Sequence, residues 1–198
     1  QGPYHTAEEK ICYHPKTIGF LVGELIKRIT GKSVGRNLED LLNYPLETKC
    51  FIGTPSMYHD NIAELISSES LRKTFSDPKN VDEYLITAFL NPANRTKTAN
   101  TPEWRLAEIP AMNCHSNSRS LAKIYDFFLS HKSNKFISSD TFDLITSVAI
   151  SGDDQVMKSP MQWSYAGYSV GGGKLFGKSS QAFGHTGCCL LYTSDAAD

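Results

Sequence analysis

Residues 17–33, TIGFLVGELIKRITGKS, repeat apolar side chains at Ile18, Leu21, Val22, Leu25, Ile26 and Ile29. That three-to-four-residue spacing lays them along one face of a helix. Lys27 and Arg28 come late in it, where cations oppose the negative end of the helix dipole, and Gly31 supplies the stop. Ser33 can cap a second, short helix bearing Leu38, Leu41 and Leu42, which Pro45 is expected to break. FIGTP (51–55) reads as a short extended piece closed by Pro55. The patterns of residues 58–75 and 81–90 predict two further helices, and 91–111, with three prolines and several Asn and Thr, predict a long loop. Residues 116–131, SNSRSLAKIYDFFLSH, form a strong amphipathic pattern with Leu121, Ile124, Tyr125, Phe128 and Leu129 facing inward. Another helix is expected to start near Ser139 or Asp140 and to carry Phe142, Ile145, Val148 and Ala149.

After Pro160 the character changes. MQWSYAGYSVGGGKLFGKSSQAFGHTG is aromatic and punctuated by glycine, which predicts strands joined by turns, with Gly171–Gly173 at a hairpin or bulge. Helices first and strands last imply an α+β fold with an incomplete sheet.

Composition narrows the function classes. The 198 residues are 40% hydrophobic and 21% charged, ordinary for a globular domain. A net charge of −1 gives no electrostatic reason to expect a nucleic-acid partner. No apolar run is long enough to span a bilayer, so no membrane segment is expected. Cys12, Cys50, Cys114, Cys188 and Cys189 show no metal-ligand spacing, and their odd number argues against a complete disulfide framework. His5, His59, His115 and His131 form no H-x-x-x-H or H-E-x-x-H pair, so no metal site is expected.

Three patterns could carry chemistry. In Gly184-His185-Thr186-Gly187 the glycines let backbone approach a ligand. His185 could move a proton or hold a carboxylate, and Thr186 could hydrogen-bond the same group. The pattern fits a structural turn as well. Tyr13-His14 precedes the strongest helix; a tyrosine serves as a base only when nearby cations lower its pKa from about 10. S-x-x-K occurs at Ser70-Lys73, Ser76-Lys79 and Ser120-Lys123. On a helix this spacing sets a lysine one turn from a serine nucleophile. Pro78 lies inside the second match, Lys123 points to solvent in the third, and all three read as chance matches.

Taken in order, YHPKTIGFLVGELIKRITGKSVG, FIGTP, SNSRSLAKIY, MQW and FGHTG resemble the serine β-lactamase-like hydrolases. These comprise class C β-lactamases, related penicillin-recognising proteins and β-lactamase-fold carboxylesterases, and the esterase-like branch is the most similar. The resemblance covers most of residues 10–188. It implies a mostly antiparallel sheet flanked by helices, and acyl transfer through a serine ester with no cofactor. Tyr13 matches the family's proton-transferring tyrosine. His185, Thr186 and Gly187 match its H-T-G strand, and the backbone N–H of Cys188 matches an oxyanion donor. Position 15 is Pro where many members have Asn, which weakens β-lactam hydrolysis more than esterase activity. The family's S-x-x-K helix stands upstream of its tyrosine, so the nucleophile is expected before residue 1.

The resemblance thus predicts a serine hydrolase acting on a small ester, amide or β-lactam-like substrate. Its alternative is a non-catalytic scaffold or binding protein of the same fold. Residues 1–188 are expected to be the C-terminal part of such a domain, truncated at both ends and inert alone. Residues 189–198, CLLYTSDAAD, back-translate in frame to a transposon-end adapter of sequencing-library preparation and are expected not to be native.

Overall fold

The computed structural model describes residues 10–66, 82–90, 96–131, 135–171, 176, 179–185 and 187. The chain divides into a helical unit, Tyr13–Leu129, and a sheet unit made of Gln1–Cys12 and Ser130–Asp198.

In the helical unit, α1 spans Thr17–Thr30 and ends at Gly31, whose φ of 71° lets its N–H turn back to the Lys27 carbonyl at 2.8 Å. Its packing differs from the expected one. Gly19 is buried, and a Cβ there would lie 2.6 Å from the Ala111 nitrogen, so α1 docks through a side bare of side chains. Close backbone approach selects that side, and the apolar stripe is left facing out, with Leu21 69% and Ile29 74% exposed.

Ser33 caps α2, Val34–Leu38, by accepting the Arg36 N–H. The helix does not break at Pro45. It widens into a π-turn at Glu39–Asn43 and continues through Tyr44–Leu46 before Glu47 adopts a left-handed φ of 51°. Pro45 has no N–H to donate and its ring needs room one turn back. The wider turn, in which the Tyr44 N–H reaches the Glu39 carbonyl, supplies that room.

Strand β1, Cys50–Ile52, pairs antiparallel with β2, Cys114–Ser116. The helix expected over 58–75 is a 3₁₀ turn at Ser56–Asn61 followed by non-helical Ile62–Ile66; 67–81 lie outside the described residues. Asp82 caps Glu83–Leu85, which runs into a π-turn at Ile86–Leu90. The expected long loop holds two helical turns, Thr96–Ala99 and Pro102–Leu106. Thr101 caps the second by accepting the Trp104 N–H, with Pro102 at the first helical position. Then α3 covers Ser118–Leu129. Along it Leu121, Ile124 and Phe128 are half-buried, whereas Tyr125 and Leu129 are exposed, contrary to expectation.

In the sheet unit, α4 runs Ser139–Thr146 from a Ser138 cap. Val148 and Ala149 are not in it; they begin β3, Val148–Asp154, because Ser147 is already extended. Strands β4, Ser159–Ser164, β5, Ser169–Val170, and β6, Phe183–Gly184, complete an antiparallel sheet of order β3-β4-β5-β6. Sheet formation therefore starts before Pro160, which itself pairs with Asp153. Gly171 has a φ of 95°, as a hairpin glycine would, and Gly172 and Gly173 lie outside the described residues. So does the segment 188–198, including the expected adapter-derived end. Helices with an antiparallel sheet make this an α+β fold. Among the described residues no helix is long and apolar enough to cross a membrane.

Candidate functional site

His185 directly follows β6 and is exposed, while Gly184 before it is buried. An added Cβ at 184 would lie 2.9 Å from the Phe176 ring, so a larger residue there needs that ring to shift. Phe183 holds β6 through edge contacts to Tyr168 at 5.3 Å and Phe142 at 6.0 Å. The His185 ring lies 6.0 Å from that of Trp163 on β4, tilted by 31°.

Trp163 is oriented in turn. Its Nε1 donates to Asp154 Oδ2 at 3.3 Å, and Asp154 is 1% exposed. Asp154 Oδ1 accepts the N–H groups of Val156 and Met157 at 2.8 and 2.9 Å, so the carboxylate closes the β3–β4 turn. A buried carboxylate satisfied by three donors is thus linked to the imidazole through one indole. The same charge acts on Cys12, whose thiol is pushed up by burial and then by Asp154.

In the helical unit Tyr13 is half-buried just ahead of α1, its ring 6.3 Å from Phe89 at 45°. Lys16 is buried and its Nζ donates to the Phe89 carbonyl at 2.6 Å. This bond fixes the 86–90 turn against the start of α1. Burial pushes the Lys16 ammonium below the ordinary lysine range. His14 is exposed.

Tyr13 belongs to the helical unit and His185 to the sheet unit. Gly187 is half-buried; Thr186 and Cys188 lie outside the described residues. Ser120-Lys123 is not a nucleophile and base. Ser120 Oγ is buried and accepts the Lys49 N–H at 2.9 Å, and Lys123 Nζ donates to the Leu46 carbonyl at 3.2 Å. Ser70-Lys73 and Ser76-Lys79 lie outside the described residues. Among the described residues no group of three His, Cys, Asp or Glu could hold a metal ion.

Sequence reasoning missed Asp154 and Phe89. The signal for Asp154 was present in GDDQ, a turn-forming run ahead of a strand. Nothing in the sequence marks Phe89, whose backbone carbonyl makes the contact to Lys16.

Neither a protein-family model nor a curated protein matches the sequence. Solved structures do. A family VIII carboxylesterase is similar with a TM-score of 0.81 at 26% identity, over 94% of this chain and 49% of its own. A penicillin-binding protein homologue from Caulobacter crescentus is similar with a TM-score of 0.75 at 24% identity, over 94% and 50%. EstA from Arthrobacter nitroguajacolicus Rue61a gives 0.79 at 20%, over 94% and 51%. The chain spans about half the length of these structures. All three have the β-lactamase fold, and this chain has that fold over the part it spans.

Proposed function

We propose that this chain, which has the β-lactamase-like fold, is part of a serine hydrolase that transfers acyl groups through a serine ester, with small esters or amides as substrates. Likeness to a family VIII carboxylesterase over 94% of the chain is the observation that carries this reading. Tyr13 ahead of α1 and His185 at the end of β6 support it, as the positions where the resemblance puts a proton-transferring tyrosine and a substrate-binding histidine.

In the proposed reaction a serine outside these 198 residues attacks the ester carbonyl. Its hydroxyl proton passes to a base, Tyr13 or the lysine of the same S-x-x-K motif. The serine C–O bond forms, the leaving alcohol takes up that proton as its own bond breaks, and water then releases the acid by the reverse relay. His185 and Thr186 hold the substrate's polar end, and the N–H at position 188 receives the developing oxyanion. Lys16 is a positioning residue, acting on Tyr13 through the 86–90 turn.

The test uses the full-length protein and p-nitrophenyl acetate. Tyr13→Phe is expected to lower kcat by about 10²–10⁴-fold with unchanged circular dichroism. His185→Ala is expected to raise KM more than it lowers kcat. Full activity in Tyr13→Phe would remove the tyrosine from the mechanism, and absence of turnover in the unaltered protein would favour a non-catalytic scaffold.

A further inference from the structure

We propose that Cys50 and Cys114 form an oxidisable dithiol, a modification site that closes to a disulfide across the β1–β2 ribbon. The ladder pairs Cys50 with Ser116, Phe51 with His115 and Ile52 with Cys114. Directly opposed residues share a face, so both cysteines project from the same side of the ribbon, two residues out of step. Their sulfurs are 3.4 Å apart. A disulfide needs about 2.05 Å, so roughly 1.4 Å remains to be closed.

The backbone around the pair is fixed. Asn43 is buried and brackets Cys50: its Oδ1 accepts the Cys50 N–H at 3.0 Å and its Nδ2 donates to the Cys50 carbonyl at 2.8 Å. Across the ribbon, Ser116 Oγ donates to the Lys49 carbonyl at 2.8 Å, and His115 Nδ1 and Thr54 Oγ1 share a hydrogen bond of the same length. Cys50 is buried, and Cys114 stands at an exposed position of β2.

The pair also has one ionisable proton near neutrality. The hydrogen bond from Cys114 lowers the Cys50 thiol to about 7, against the opposing effect of burial. The same contact raises Cys114, which keeps its proton. Cys12, raised by burial and by Asp154, is the poorer nucleophile.

With hydrogen peroxide as oxidant the step balances. The thiolate sulfur attacks one peroxide oxygen; an S–O bond forms, the O–O bond breaks, and the departing hydroxide takes a proton to become water. The second sulfur then attacks the sulfenyl sulfur. The S–S bond forms, the S–O bond breaks, and the remaining thiol proton leaves with that oxygen as a second water. Two thiols give up two electrons to one peroxide.

The test treats the reduced, desalted chain with one equivalent of hydrogen peroxide at neutral pH, followed by intact mass and peptide mapping. We expect a loss of about 2 Da that dithiothreitol reverses. The digest should contain a peptide joining Cys50 to Cys114, and the oxidised form a raised thermal midpoint. Neither Cys50→Ser nor Cys114→Ser should give that peptide. A cross-link mapping to any other pair overturns the proposal. So does oxidation of Cys50 or Cys114 to sulfinic acid without cross-linking, or oxidation of Cys12 while both remain thiols.

Discussion

Replacing Asp154 with alanine strands three donors at once. The N–H groups of Val156 and Met157 lose an acceptor at 2.8 and 2.9 Å, and the Trp163 indole loses one at 3.3 Å. A buried donor left without a partner costs about 1–3 kcal/mol. The indole contact is long and Met157 is exposed enough for water to reach its amide, so those two fall at the low end. The sum for Asp154→Ala is about 3–5 kcal/mol. Asp154→Asn keeps one carbonyl oxygen for the two backbone amides and turns its NH₂ toward the indole, so it should cost about 1–2 kcal/mol. The assay is urea unfolding followed by tryptophan fluorescence in a Trp104→Phe background, where Trp163 alone reports on the sheet unit. A loss below about 1 kcal/mol for Asp154→Ala would refute the reasoning, as would an Asn variant as damaged as the Ala variant.

Other sites give sharper contrasts of sign. Gly19→Ala should destabilise by about 1–2 kcal/mol in thermal unfolding, although alanine favours a helix by up to about 1 kcal/mol, because its Cβ would meet Ala111. Gly23→Ala, whose Cβ would meet only side-chain atoms at 3.2 and 3.3 Å, should be near neutral. His115 is held below the ordinary imidazole range by burial, then by the Arg105 charge and by His59. The unfolded chain therefore binds more protons, and the contribution of a neutral His115 is present above about pH 6.5 and lost as pH falls. His115→Gln should flatten the fall of the thermal midpoint on the acid side; an unchanged slope would exclude His115 as its source. Asp154→Asn removes one of the two causes that raise Cys12, so alkylation of Cys12 should accelerate at fixed pH.

Local signals in the sequence were legible where one residue decides one bond. Ser33 and Gly31 bound helices in the structure as their types demand, and α4 starts at Ser139 as its pattern suggested. The buried face of α1 was not legible from periodicity. Its stripe of Ile and Leu is real, but Gly19 lets α1 close on the Ala111 backbone and Gly23 lets it meet the side chains of Val34 and Pro110. Val148 and Ala149 continue the apolar pattern of α4 and cannot be told from helix by spacing. Pairing of Val148 with Ser164, in the ladder that joins 148–154 to 159–164, decides, and that is a long-range effect. At the candidate site Tyr13 and His185 carried a motif, whereas Asp154 matters through a turn and an indole that only folding brings together. The S-x-x-K pattern on α3, read from the sequence as a chance match, has its serine committed to the Lys49 backbone.

The central claim is that the whole protein forms an acyl-serine intermediate. Full-length protein should be mixed with an activated ester, quenched in acid within the first turnover, and its intact mass and peptide map recorded. An adduct of the acyl mass is expected on the serine of an S-x-x-K segment outside these residues, accumulating less in Tyr13→Phe. Turnover with no adduct on serine, or an adduct mapped to Ser70, Ser76 or Ser120, would contradict it.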